Sequence, residues 1–147
     1  PPQDCWLLIR SLKTLPLRME RHSASALQVA KWLQHHSEVE IVYYPGLPEH
    51  CGHTLSKQQA EGFGGMLSFR VTSPRLAEQV LERLQLISFA ESLGGVETLI
   101  TLPAVQTHSD IPTADLKRLG ICNSLLRLSV GLEEPEDIIA DLHQALA

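Results

Sequence analysis

One arginine stands in the middle of "LLRLSVG", residues 125–131, among leucines, a serine, a valine and a glycine. Burying a guanidinium is costly unless it meets an anion or a satisfied network, and its planar fork suits a carboxylate held by two parallel hydrogen bonds. Two roles for Arg127 are open: a structural salt bridge to one of the seventeen acidic residues, or recognition of a ligand carboxylate. Glu91 and Ser92 in "AESLGGVETL" pose a similar choice, between capping a turn and facing a ligand. Neither has an acid, base or nucleophilic partner at motif spacing, and "ESLGG" departs from the GxSxG nucleophile elbow, so a self-contained serine hydrolase is disfavoured.

Other polar groups suggest less. His50, Cys51 and His53 in "EHCGH" are zinc-type donors, but adjacent side chains rarely converge on one ion and no second ligand pair follows. Surface-loop roles are preferred there, and no metal site is expected. His35 and His36 close a helical pattern, where imidazoles suit the C-terminal end of the dipole. Thr107 and His108, beyond a short strand pattern, fit the rim of a cleft, although loop hydrogen bonding is the preferred role. "GFGG" and "SLGG" lack the spacing and following helix of a phosphate cradle.

The elements that must position these residues follow from periodicity. A long helix is predicted from Leu17 to about His36, with Pro16 in its first turn or at a kink, and Val39, Ile41 and Tyr43 share one face of a strand. A short helix over 54–60 precedes a strand that alternates Leu67, Phe69 and Val71 against Met66, Ser68 and Arg70. Pro74 opens a helix to about Leu84, "LISFA" and "TLITLP" are short strand candidates, and Gly120 terminates a helical turn over 112–119. In the last strand Leu126, Leu128 and Val130 face the core and Arg127 faces away. A final helix follows, with Ile138, Ile139, Leu142 and Leu146 as its apolar stripe. The sum is an α/β fold with a mainly antiparallel sheet, helices on one face and the other face free.

Composition excludes whole classes. The 147 residues fit one domain, and a net charge of −5 without any basic run argues against nucleic acid. No stretch approaches the roughly eighteen apolar residues of a membrane span, and "PPQDCW" lacks a secretory signal, so a soluble protein with no membrane partner is expected. Three scattered cysteines, Cys5, Cys51 and Cys122, define no disulfide framework and favour a reducing, cytoplasmic setting. The abrupt opening "CWLLIRSLKTLPLRMERH" reads as a fragment boundary.

Taken in order, "RSLKTLPLRMERH", "YYPGLPEH", "GFGGMLSF", "AESLGGVETLITLPAVQTH" and "LLRLSVGLEEPEDIIADLHQAL" resemble the C-terminal domain of the Cys/Met-metabolism family of pyridoxal-phosphate enzymes. The resemblance covers nearly the whole chain and is nearest the cystathionine gamma-lyase and gamma-synthase branch. It implies that residues 1–147 are the small substrate-binding domain of an aspartate-aminotransferase-like (type I) enzyme whose cofactor domain lies elsewhere. By the same resemblance Arg127 binds the substrate α-carboxylate, Ser92 lies beside the substrate and the cofactor-bearing lysine, and Glu91 borders the distal part of the substrate.

Glu91 favours the cystathionine branch over the beta-lyases, which tend to carry tyrosine there, and "TLPAVQTH" inclines toward a lyase cleaving the Cγ–S bond of L-cystathionine. The alternatives are a gamma-synthase domain or a noncatalytic interaction module that retains the fold. Pyridoxal 5'-phosphate is implied for the full-length enzyme, a homotetramer, but not for the isolated domain. Lys13, Lys31, Lys57 and Lys117 lack the context of the cofactor lysine, and no catalytic residue is assigned to the chain. Two departures from the family pattern are Ser11, where glycine is usual, and Asn123, where aspartate is common.

Overall fold

The computed structural model describes all 147 residues, Pro1–Ala147. Six helices and five strands run in the order α1 (Pro2–Leu12), α2 (Leu15–Gln34), β1 (Val39–Tyr43), α3 (His53–Gln59), β2 (Met66–Val71), α4 (Pro74–Arg83), β3 (Ser88–Phe89), β4 (Leu99–Thr101), α5 (Thr113–Leu119), β5 (Leu125–Ser129) and α6 (Pro135–Leu146). The strands form one sheet in the order β1-β2-β5-β4-β3. Three of its pairings are antiparallel, and only the short β3 runs parallel to its neighbour β4. The mainly antiparallel sheet expected from the sequence is therefore present.

Period-two alternation sets the core. On β5, Leu126 and Leu128 are fully buried, as are Phe69 and Val71 on β2 and Ile100 on β4. The helices α2, α4 and α6 cover this face with Val29, Leu33, Val80, Ile138 and Leu142. Ser73 caps α4 by accepting a hydrogen bond from the Leu76 N–H, and Pro74 occupies its first turn, where a missing N–H costs nothing. Gly120 ends α5 with φ +73°, the left-handed geometry that glycine adopts without strain.

One expectation, for β1, is corrected, and two further features appear. The opening segment is a helix, α1, that precedes α2 and buries none of its residues. Its Trp6, Leu8, Ile9 and Leu12 are all more than half exposed, and Arg10 lies over the Trp6 ring. Strand β1 does not present Val39, Ile41 and Tyr43 together, because the register shifts between Val39 and Ile41. That bulge turns Val39 and Val42 toward the core and leaves Ile41 and Tyr43 exposed. Ser11 needs no glycine-like backbone: no non-glycine residue has positive φ, and Ser11 simply continues α1.

His35 behaves as a helix-end residue, with Nδ1 on the Lys31 carbonyl at 2.7 Å. His36 does more, meeting Trp32 at a tilt and His143 edge-on where the ends of α2 and α6 meet. Burial and the neighbouring His143 hold its pKa below the usual imidazole value, against the opposing pull of Glu38. As pH falls through about 6.5 the unfolded chain therefore takes up this proton before the folded one does, and stability declines. Thermal unfolding at pH 7.5 and 5.5 should show the drop, and His143→Gln should shrink it; an unchanged pH response in that variant contradicts the coupling.

Candidate functional site

The face of the sheet away from α2, α4 and α6 carries Arg127. Strand pairing places Tyr43, Ser68, Arg127 and Thr101 in one row across β1, β2, β5 and β4. Directly opposed residues of antiparallel strands share a face, so this row lies opposite the core. Thr101 is committed locally, since its hydroxyl donates to the Gln106 side-chain carbonyl at 2.6 Å.

Arg127 has no acidic partner. The three salt bridges of the chain join Arg21 to Glu134, Arg70 to Glu40 and Arg118 to Asp115. The Arg127 guanidinium instead donates one hydrogen bond, 3.1 Å long, to the backbone carbonyl of Glu91. A guanidinium has five N–H donors, so most of its fork remains available to a carboxylate. The structural salt bridge is thus absent, and the contact brings the Glu91 loop beside Arg127.

Glu91 and Ser92 are exposed on the segment between β3 and β4. Glu91 meets Arg127 through its main chain. Gly94 turns the segment with φ +74°, and its N–H donates to the Ser129 hydroxyl on β5 at 2.8 Å. Gly131 admits a second close approach, because a Cβ there would run into the Val96 carbonyl and the Glu97 backbone. Leu132 N–H donates to that Val96 carbonyl at 2.8 Å.

Three residues that sequence reasoning missed complete the attachment. Glu133 accepts from the Thr98 N–H and from the Thr98 hydroxyl, both at 2.6 Å. The Thr98 hydroxyl in turn accepts from the Gly131 N–H at 2.8 Å. Thr98 is completely buried, and nothing in the sequence marks it, because its burial and its partner Glu133 appear only in the fold.

The remaining candidates disperse. His50 Nδ1 accepts from the Gly52 N–H, whereas His53 bonds the Pro45 carbonyl and stacks on Phe63. Nowhere do three histidine, cysteine or acidic side chains gather as metal ligands. Thr107 and His108 bond each other at 2.7 Å, a local loop contact. A hollow of about 540 Å³ lies between Pro16, Glu20 and Glu61 and includes none of Arg127, Glu91 and Ser92. A smaller apolar one of about 220 Å³ borders the loop at Leu93 and Gly94. Arg127 and the Glu91 loop thus meet on the sheet face and not at the larger hollow. No helix is long and apolar enough to cross a membrane.

The sequence matches the Cys/Met metabolism PLP-dependent enzyme family over residues 1–147. The chain belongs to that family. This Cys/Met-family chain is 51% identical over 146 residues to the cystathionine gamma-lyase of Sus scrofa, matching 99% of its own length and 36% of the relative's. It is 49% identical over 145 residues to the cystathionine beta-lyase of Lactococcus lactis subsp. cremoris strain MG1363, matching 99% of its own length and 38% of that protein.

Its fold is similar to the cystathionine gamma-lyase of Lactobacillus plantarum complexed with L-serine, with TM-score 0.91, 42% identity, and 99% and 38% of the two chains covered. The chain thus spans little more than a third of these relatives. The expectation that beta-lyases are more distant is not met, since the two names occur at comparable identity and overall similarity does not separate them.

Proposed function

We propose that residues 1–147 form the C-terminal, substrate-binding domain of a cystathionine gamma-lyase, with Arg127 receiving the α-carboxylate of the amino-acid substrate. One observation carries the reading: a central-strand guanidinium faces the open side of the sheet with a single carbonyl contact and no carboxylate partner. A substrate carboxylate supplies the charge and the paired acceptors that such a fork lacks. Ser92 and Glu91 then border the bound amino acid, Ser92 beside the cofactor-bearing lysine and Glu91 toward the distal sulfur-linked arm.

This chain does not itself fit pyridoxal phosphate. Lys13, Lys31, Lys57 and Lys117 are exposed and sit on or beside helices, none on a strand of the Arg127 face. The covalent attachment belongs to the rest of the polypeptide, in keeping with the small share of its relatives that the chain spans. When bound there, the cofactor supplies an electron sink that lets the Cγ–S bond break. The exposed apolar side chains of α1 suit the docking of that cofactor domain, and the complete protein assembles as a homotetramer. Its three free cysteines accord with the cytoplasm.

A second reading, beta-lyase, is favoured by the relatives of that name at similar identity. Product analysis with L-cystathionine and the full-length, cofactor-loaded protein separates them. Cleavage at Cγ–S yields cysteine, 2-oxobutanoate and ammonia; cleavage at Cβ–S yields homocysteine, pyruvate and ammonia. Cysteine with 2-oxobutanoate is expected. Homocysteine with pyruvate overturns the gamma assignment, net synthesis of cystathionine from cysteine and an activated homoserine ester indicates a synthase, and no turnover at all leaves a noncatalytic module.

A further inference from the structure

The loop that carries Glu91 and Ser92 is held at both ends. At its start the Glu91 carbonyl accepts from Arg127, and at its end Thr98 is gripped by Glu133. Between them, Gly94 bonds the Ser129 hydroxyl and Val96 bonds the Leu132 N–H. The Glu133 grip is the part with negative charge. Its two carboxylate oxygens take the Thr98 N–H and O–H separately, and the same hydroxyl accepts from Gly131, closing a ring between the loop and the turn after β5. Charge-assisted bonds of this kind are about twice as strong as neutral ones. Outside the ring, Arg21 donates to the Glu133 carbonyl and so ties the turn to α2.

We propose that Glu133 and Thr98 are positioning residues for the substrate site. They fix the loop from its far end, and the fixed Glu91 carbonyl holds the Arg127 guanidinium in one orientation before substrate arrives. A fork pointed in advance binds a carboxylate without first being ordered. The inference rests on the carboxylate role proposed for Arg127, and it predicts a defect specific to ligands that carry a carboxylate.

The test compares L-serine with ethanolamine, which differ by the α-carboxylate, as inhibitors of the full-length, cofactor-loaded enzyme. Glu133→Ala and Thr98→Val should each weaken L-serine at least fivefold while changing ethanolamine less than twofold, with KM rising more than kcat falls. Thr98→Ser, which keeps the hydroxyl, should restore L-serine binding to within twofold of the parent. In an Arg127→Ala background the Glu133→Ala effect on L-serine should vanish. If Glu133→Ala fails to fold, Glu133→Gln, which keeps one acceptor, should still weaken L-serine at least twofold. Equal losses for both ligands, or no loss, overturn the positioning role. An Arg127→Ala enzyme that keeps its preference for L-serine instead overturns the carboxylate reading beneath it.

Discussion

Replacing Arg127 by alanine in the full-length, cofactor-loaded protein should lower kcat/KM for L-cystathionine by roughly 10- to 150-fold, the equivalent of losing a charge-assisted contact of about 1.5–3 kcal/mol. The change should fall mainly on KM, because the guanidinium holds the carboxylate before and during reaction alike. Folding stability should hardly change. Arg127 has no ion pair to lose, and its one protein hydrogen bond, to the Glu91 carbonyl, is worth about 1 kcal/mol at most in a partly exposed setting. Arg127→Lys retains the charge but not the paired donors, so its loss should be intermediate. A melting temperature that collapses while the folded fraction keeps its kcat/KM would instead describe a purely structural arginine.

The second large effect concerns stability. Asp141 on α6 is only 6% exposed, and its carboxylate accepts from the N–H groups of Gln85, Leu86 and Ile87 at 2.8–2.9 Å. It thereby stops the chain at the end of α4 and aims it into β3, toward the Glu91 loop. Burial opposes its charge, yet these three bonds, with one from the Gln144 side chain, hold its pKa below the usual carboxylate value.

The stability linked to that shift is full above the unfolded value of about 3.9 and is lost as pH falls through the lower folded value. Asp141→Ala should cost about 3 kcal/mol, since it leaves three N–H groups to find other partners. Denaturant unfolding at pH 7 measures the loss. The variant should also lack the part of the acid-induced decline that belongs to this carboxylate. Equal stability of variant and parent at pH 7 contradicts the role.

What the sequence made legible was whatever depends on local period. Strand β5 alternates cleanly, so Arg127 was placed opposite the core without knowledge of any neighbour. The stripe of α6 and the Pro74 start of α4 are likewise local signals. The bulge in β1 was not legible, because one extra residue reverses the faces and only pairing with β2 reveals it. Helix α1 escaped for a different reason: Trp6, Leu7, Leu8 and Ile9 run consecutively, and a short apolar run does not by itself separate helix from strand.

The site shows the same division. Arg127, Glu91 and Ser92 were visible as residue types and, through resemblance, as candidate substrate contacts. The resemblance also implied that they lie side by side, but not the bonds that join them, since that between Arg127 and Glu91 spans 36 positions and that between Thr98 and Glu133 spans 35. Glu133 in particular looks like one more acidic residue ahead of a helix until Thr98 is seen within its reach.

The claim that Arg127 is the seat of the substrate carboxylate is tested most directly by a two-by-two comparison. Dissociation constants of L-serine and ethanolamine are measured for the full-length, cofactor-loaded parent and its Arg127→Ala variant. The parent should prefer L-serine, and the variant should lose that preference by roughly 10- to 150-fold with ethanolamine binding unchanged. A variant that keeps the parent's ratio of the two constants would contradict the account.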